Sequence, residues 1–172
     1  DGRDTDPKSG KNFMEKLQQN LKNTPTKIAS VIGRYYAMDR DLRWERIKVA
    51  YDLMVHGKGN TSTNIIRTIQ DTYLEGITDE YIKPIVACDK EGNSIATINT
   101  DDVVICFNYR TDRCREITRA LHQENLDAFG MNKLSLHYVT MTNYDEKFKD
   151  VKVVFRKDNL KNTLGEAISS NG

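Results

Sequence analysis

The chain has 172 residues, of which 38% are hydrophobic and 30% are charged, and its formal net charge is +1. This composition is typical of a folded globular protein and excludes a disordered low-complexity chain or a membrane-embedded one. The balance of 26 basic against 25 acidic residues also argues against a broad surface for nucleic acid or anionic lipid. Any anion-binding site must therefore be local, and we expect a monomer that contacts neither membrane nor nucleic acid.

The start of the sequence indicates a fragment. The opening DGRDTDP has neither an initiator methionine nor a targeting pattern. A chain of this length suits one domain with a substantial core. We therefore interpret residues 1–172 as a single domain that is truncated at both ends.

Apolar residues three and four apart predict most of the helices in the first half of the chain, and Pro25, Gly57 and Gly76 mark where helices stop. The short apolar run KIASVI predicts a buried strand that ends at Gly33. The predicted elements are a helix over 9–23, the strand over 27–32, a helix over 41–57, a polar loop over 57–63 and a helix over 65–76.

The second half predicts more strands than helices. VVICFN, residues 103–108, is the most apolar strand candidate. The other predicted elements are a hairpin over 85–98, a helix over 112–122, strands over 136–141 and 151–155, and a short terminal helix in TLGEAISS. Strands that alternate with helices predict an α/β fold with a mixed, mostly parallel sheet and helices packed on it.

Neither the cysteines nor the histidines are spaced like metal ligands. The cysteines are odd in number and lack a CxxC pair, and the histidines are scattered. The residues concerned are Cys88, Cys106, Cys114, His56, His122 and His137. Cys106 lies in an apolar run, which favours a reduced thiol packed in the core. We predict no metal site in this chain.

Two pairs of arginines follow predicted strands at the same topological place. Arg34 and Arg40 come after KIASVI, and Arg110 and Arg113 come after VVICFN. Ligands of open α/β sheets gather at the carboxyl ends of strands, and a guanidinium group binds phosphate or carboxylate in two-point geometry. The four side chains therefore form a candidate anion site.

A second interpretation of these arginines is equally consistent with their positions. They can splay outward as ordinary solvated charges, paired with the nearby acids Asp39, Asp41, Glu45 and Asp112. For Arg43 and Arg46 this interpretation is favoured, because both fall in the predicted helix beside acidic residues. Trp44 and Tyr51 are expected to face the core.

Arg3 and Asp4 are adjacent on a predicted loop. Such a pair can hold a carboxylate through the arginine and accept a hydroxyl proton on the aspartate. An Asp-Gly turn with an incidental ion pair explains the same residues equally well.

Several segments together carry a family resemblance: DGRDTDPKSG, KIASVIGRYYAMDRDLRWERIKVAYD, NYRTDRCREITRAL, VTMTNYDEKF and NLKNTLGEAI. In this order and spacing they resemble the cofactor-independent (2,3-bisphosphoglycerate-independent) phosphoglycerate mutases, from residue 1 to the end of the chain. The resemblance implies a two-domain cytoplasmic glycolytic isomerase that interconverts 3-phosphoglycerate and 2-phosphoglycerate. The chain looks like most of the inserted substrate-binding domain.

The resemblance also implies roles for single residues. Asp4 matches the family's general acid and base for the glycerate hydroxyls, and Arg3 its neighbour at the substrate. Arg34, Arg40, Arg110 and Arg113 match arginines that contact the substrate. The phosphorylated serine and two manganese or magnesium ions are expected in the missing domain, so this chain binds no cofactor and by itself is expected to be inactive. Thr5-Asp6-Pro7 and Tyr109 are small departures within the family's range, and a hinge is a hypothesis for residues 159–166.

A competing hypothesis from another class is a non-enzymatic module that binds RNA or another polyanion. It would use the same arginines, with Tyr35, Tyr36 and Trp44 as stacking groups. The near-zero net charge argues against it. A phosphatase-like enzyme with a different phosphorylated substrate is the third and least favoured alternative.

Overall fold

Helices and short strands alternate along the computed structural model, which describes residues 2–156 and 163–171. The helices are α1 (Gly10–Leu21), α2 (Arg34–Ala37), α3 (Trp44–His56), α4 (Ile65–Leu74), α5 (Arg115–Thr118) and α6 (Leu164–Asn171). The strands are β1 (Ser30–Val31), β2 (Asn60–Ser62), β3 (Ile85–Ala87), β4 (Val103–Cys106), β5 (His137–Thr140) and β6 (Val151–Val153). Single turns of 3-10 helix occupy Asp79–Tyr81 and Asp127–Phe129, and α5 continues as a π-helical turn, Arg119–Gln123.

Local sequence signals explain the well-predicted helices. In α4 the side chain of Asn64 accepts a hydrogen bond from the backbone N–H of Arg67 at 3.1 Å, which caps the first turn. Ile65, Ile69 and Tyr73 are the buried residues of this helix, and they recur every four positions. Helix α3 ends at Gly57, whose φ of 61° is the left-handed conformation typical of a glycine terminator.

The strands form two three-stranded sheets. The first has the order β1-β3-β2, with β1 antiparallel and β2 parallel to β3. The second has the order β4-β5-β6 and is entirely parallel. The α/β class and the mixed, mostly parallel pairing are confirmed, but the prediction of one sheet is wrong.

Two element predictions are also wrong in part. The predicted hairpin over 85–98 is only strand β3 followed by an isolated antiparallel bridge between Cys88 and Ser94. Gly92 turns the chain there with a φ of 87°. Beyond Ser94 the N–H of Ile95 donates to the carbonyl of Ala87 at 2.9 Å, but residues 96–99 form no regular strand. The predicted polar loop over 57–63 contains β2, whose residues are mostly exposed and so carry no apolar signal.

The larger core lies between α3, α5 and one face of the second sheet. Its buried members include Ile47, Tyr51, Leu121 and Tyr138, so the core-facing prediction for Tyr51 is confirmed. Trp44 packs partly buried against the same cluster. A smaller core joins α4 to the first sheet. Because α3 contacts both α2 and α5, it brings together the chain segments that follow β1 and β4.

Candidate anion-binding site

The first arginine segment, residues 33–43, begins with a close backbone approach. The N–H of Gly33 donates to the carbonyl of Ile82 at 2.8 Å. A Cβ atom at Gly33 would lie only 2.3 Å from the carbonyl oxygen of Glu80, so no larger residue fits. This contact fixes the start of α2 and therefore the position of Arg34, whose side chain is only 4% exposed.

The 3-10 turn Asp79–Tyr81, which contains Glu80, also positions the beginning of the chain. Gly2 has a φ of 69°, and a Cβ there would lie 2.7 Å from both the Asp79 side chain and the backbone of Glu80. Asp4 follows on the surface with its side chain 74% exposed, and its Oδ2 lies 3.6 Å from Nη1 of Arg34. The buried guanidinium group of Arg34 thus has a carboxylate neighbour that solvent can reach.

The second arginine segment, residues 107–114, meets the first through Asp112. Nη1 of Arg40 donates to Oδ2 of Asp112 at 2.7 Å. Arg110 binds the same carboxylate through Nε at 3.3 Å and Nη2 at 3.1 Å. The hydrogen bond from Arg40 and those from Arg110 lower the pKa of Asp112 to about 2. Asp112 therefore remains ionised and joins one arginine of each segment.

Arg113 lies at the centre of this positive charge. Its Nη1 donates to the backbone carbonyl of Met38 at 3.1 Å, which is a second link between the segments. Its Nε is buried and meets no acceptor among residues 2–156 and 163–171. Burial lowers the pKa of Arg113, and the charges of Arg34, Arg40 and Arg110 lower it further.

The structure therefore brings together five of the six residues predicted for the site: Asp4, Arg34, Arg40, Arg110 and Arg113. Arg3 is exposed beside Asp4. The two interpretations of the arginines were not exclusive, because Arg40 and Arg110 pair with Asp112 while the arginines also converge. Among the described residues, the guanidinium groups of Arg34, Arg40, Arg110 and Arg113 lie in this cluster with the carboxylates of Asp4 and Asp112, an arrangement that suits a multiply charged anion. What it binds stays a prediction.

The neighbouring basic residues have structural partners. Nη1 of Arg43 lies 3.3 Å from Oδ2 of Asp41, and Nη1 of Arg46 lies 3.4 Å from Oδ1 of Asp39. Both predictions of local ion pairing are confirmed.

The aromatic residues proposed as stacking groups are already engaged within the protein. The guanidinium group of Arg46 lies over the ring of Tyr35 at 3.8 Å, and Tyr35 packs edge-on against Tyr36. Trp44 packs against Phe129, and the guanidinium group of Arg119 lies over it at 5.2 Å. The RNA-binding alternative has no support from this arrangement.

The cysteines do not form a metal site. No group of three or more histidine, cysteine, aspartate or glutamate side chains in the described part of the chain could hold a metal ion. All three cysteines are free thiols, and Cys106 is half-buried rather than fully in the core. A hydrogen bond with Cys114 lowers the pKa of Cys106 to about 7.

One cavity lies away from the arginines. It has a volume of about 760 Å³ and lies between α1 and the first sheet, with Leu21, Ile28 and Ile95 among its lining residues. It gathers no cluster of like charges, so the arginine cluster remains the better candidate site. Within residues 2–156 and 163–171, no helix has the length and apolarity that crossing a bilayer requires.

Sequence reasoning missed the groups that assemble the cluster. Asp79 and Glu80 pack closely against Gly2, Glu80 also packs against Gly33, and Glu116 binds the first arginine segment from α5. Asp79 and Glu116 are almost fully buried. A buried acid marks a structural role, but the sequence alone does not show which Asp or Glu residues are buried.

A family model described as BPG-independent PGAM N-terminus (iPGM_N) matches residues 1–146. The chain is 57% identical over 172 residues to the 2,3-bisphosphoglycerate-independent phosphoglycerate mutase of Flavobacterium psychrophilum. It is 46% identical over 173 residues to the protein of that name from Clostridium acetobutylicum. In both comparisons all of this chain is covered, and it spans 34% of the relative's length.

The fold is similar to that of Leishmania mexicana phosphoglycerate mutase, solved at low cobalt concentration. The TM-score is 0.83 at 25% identity, over 98% of this chain and 33% of that chain. The chain therefore belongs to the BPG-independent phosphoglycerate mutase N-terminus family.

Proposed function

We propose that this chain is the substrate-binding part of a phosphoglycerate mutase that interconverts 3-phosphoglycerate and 2-phosphoglycerate. The observation that carries the proposal is the convergence of two arginine segments around Asp112, with Asp4 beside Arg34. A phosphoglycerate carries a phosphate and a carboxylate on a three-carbon frame. Several guanidinium groups in one cluster suit two such anionic groups held at once.

Each site residue has a task in this reaction. Arg34, Arg40, Arg110 and Arg113 would neutralise the anionic groups and hold the glycerate in line for transfer. Arg3 would contact the substrate beside Asp4. Asp4 would accept the proton from the hydroxyl that receives the phosphoryl group and return a proton to the hydroxyl that loses it. Its carboxylate is exposed, so a bound ligand can reach it.

The chemistry of phosphoryl transfer would be completed outside this chain. The phosphorylated serine and two manganese or magnesium ions would belong to the remaining two thirds of the protein. The metal ions would activate the serine and stabilise the charge on the phosphoryl group. Residues 1–172 would then form the glycerate-holding domain of a cytoplasmic, monomeric enzyme. The hinge hypothesis for residues 159–166 falls partly outside the described residues.

A chimera tests the catalytic part of the proposal. Residues 1–172 would replace the matching third of the Flavobacterium psychrophilum enzyme, to which they are 57% identical. We expect mutase turnover, and Asp4→Asn should reduce kcat by at least about a hundredfold because the hydroxyl proton then has no acceptor.

Asp6→Asn is the matched control, since Asp6 is also exposed and lies two residues further on. It should leave kcat within about twofold, because an exposed side chain outside the site contributes little. Near-normal turnover by a folded Asp4→Asn chimera would contradict the proton-transfer role.

A further inference from the structure

The two arginine segments are joined by a row of contacts. Three successive links are the Met38 carbonyl with Nη1 of Arg113 at 3.1 Å, Nη1 of Arg40 with Oδ2 of Asp112 at 2.7 Å, and the Leu42 N–H with Oε1 of Glu116 at 2.9 Å. Asp39 and Glu116 bind consecutive backbone N–H groups of this row, Asp39 those of Asp41 and Arg43 and Glu116 that of Leu42 between them. The row therefore brings together two buried acids, which repel each other when both are ionised.

The hydrogen bonds around Asp39 favour its ionised form. Its side chain is almost completely buried, and its Oδ2 accepts the backbone N–H groups of Asp41 at 2.9 Å and Arg43 at 3.0 Å. Burial alone would raise the pKa of Asp39. The hydrogen bonds from Arg43, Asp41 and the Glu116 side chain, together with the charge of Arg46, lower it instead.

The surroundings of Glu116 favour its protonated form. It is 3% exposed, and one of its oxygens already accepts the Leu42 N–H. Its other oxygen, Oε2, is buried and receives no donor from any described residue. Burial raises the pKa of Glu116, and the neighbouring charge of Asp39 raises it further. A proton on Glu116 supplies the donor that a contact between two acids requires.

The backbone that Glu116 binds is strained. Leu42 has a φ of 60°, which is the left-handed region that a branched side chain adopts at a cost. The hydrogen bond from the Leu42 N–H to Glu116 holds this conformation directly after Arg40 and Asp41. Loss of that bond would let the backbone relax and would move Arg40 away from Asp112.

We propose that Asp39 and Glu116 are a positioning pair, in which a proton on Glu116 bridges two buried carboxyl groups and holds the first arginine segment against the second. The pair touches no substrate and acts through Arg40 and Arg113. Its consequence for phosphoglycerate binding rests on the proposed function. The arrangement itself is a property of this chain and can be measured without a ligand.

The test compares Glu116→Gln with Glu116→Ala in the 172-residue chain. Glutamine keeps an acceptor for Leu42 and a neutral donor for Asp39, whereas alanine removes both. Asp52→Asn is the matched control, because it removes a carboxylate that pairs with Lys48 on α3 without touching either segment. Two readouts apply to each variant: the NMR signals of the Arg40 side chain, which an ion pair protects from exchange, and the dissociation constant for 3-phosphoglycerate.

We expect Glu116→Ala to lose the protected Arg40 signals and to weaken phosphoglycerate binding by about tenfold, as loss of one buried hydrogen-bonded link would do. Glu116→Gln and Asp52→Asn should keep the Arg40 signals and bind within about twofold of the unmodified chain. Glutamine that behaves like alanine in a folded variant would overturn the proposal, and so would alanine that keeps the Arg40 signals. If the unmodified chain does not bind phosphoglycerate, the proposed function fails, while the Arg40 signals still decide the positioning pair.

A pH series distinguishes an effect of the proton on Glu116 from an effect of side-chain packing alone. As pH rises through the raised pKa of Glu116, the unmodified chain should lose affinity relative to Glu116→Gln, since two carboxylates then face each other. The other charged groups around the pair are Asp41, Arg43 and Arg46. Parallel pH profiles for the two proteins would contradict the shared proton.

Discussion

Both arginine segments place arginine side chains in the same cluster, but they are held in position by different contacts. The first is held by the packed Gly33 and by the buried residues Arg34 and Asp39. The second follows β4 across the surface, with Phe107 78% exposed and Arg110 also exposed. The second segment depends on Asp112 and on its contacts with the first. The first segment is therefore the frame of the site, and the second is positioned against it.

The largest effect is expected at the frame itself. Gly33→Ala places a Cβ atom against the Glu80 carbonyl, and we expect a loss of about 3 kcal/mol in the free energy of unfolding, because a packed backbone cannot easily move aside. Urea denaturation measures this loss. Gly165→Ala is the control, since its Cβ would meet only a side-chain oxygen at 4.0 Å, and it should not destabilise the chain. Equal stability of the two variants would contradict the rigid frame.

The next largest effect separates the arginines of the two segments. Arg34→Lys should weaken phosphoglycerate binding by about thirtyfold, because a buried point charge cannot reproduce two-point geometry. Arg110→Lys should weaken it by only about threefold, since an exposed side chain can readjust. Isothermal titration of both variants measures the difference. An effect that is larger at Arg110 would reverse the assignment of frame and dependent segment.

A smaller effect concerns the carboxylate that joins the segments. The pKa of Asp112 is lowered from its ordinary value of 3.8 to about 2, so its ionised form stabilises the folded chain above the ordinary value. This stabilisation is lost as pH falls from about 4 to about 2, when the carboxylate takes up a proton. Asp112→Asn should therefore be less stable than the unmodified chain at neutral pH, and the difference should disappear near pH 2. A difference in stability that does not change with pH would exclude the ion pairs as its source.

The smallest effect is expected at Arg43, which ends the first segment on the surface. Its ion pairs with Asp41 and Asp39 are largely solvent-exposed on the arginine side. Arg43→Ala should change the free energy of unfolding by less than about 0.5 kcal/mol and leave phosphoglycerate affinity unaltered. Thermal melts and the same titration would show this, and a large loss of affinity would extend the site beyond the four arginines.

Periodic patterns predicted the long elements well. The spacing of Ile65, Ile69 and Tyr73 predicted α4, and the glycine at 57 predicted the end of α3. The division into two sheets was not predicted, because pairing depends on which short strands meet and not on their own sequences. Strand β2 is mostly exposed and gave no apolar signal at all.

The arginines of the site were identified from the sequence, whereas their supports were not. Arg34 and Arg110 follow strands, a rule that sequence order can express. The docking of Gly2 and Gly33 against one turn, and the contact of Asp39 with Glu116, join residues far apart in the chain. Such contacts depend on how α2, α3 and α5 pack together. The sequence immediately around each residue does not predict that packing.

An NMR titration of the 172-residue chain with 3-phosphoglycerate, observed at the arginine side chains, tests whether the two arginine segments form one site. We expect the signals of Arg34, Arg40, Arg110 and Arg113 to shift together with one dissociation constant, because both segments form a single anion site. A short RNA, added as a control, should leave these signals unmoved. Shifts confined to one segment, or different dissociation constants for the two, would contradict the single site.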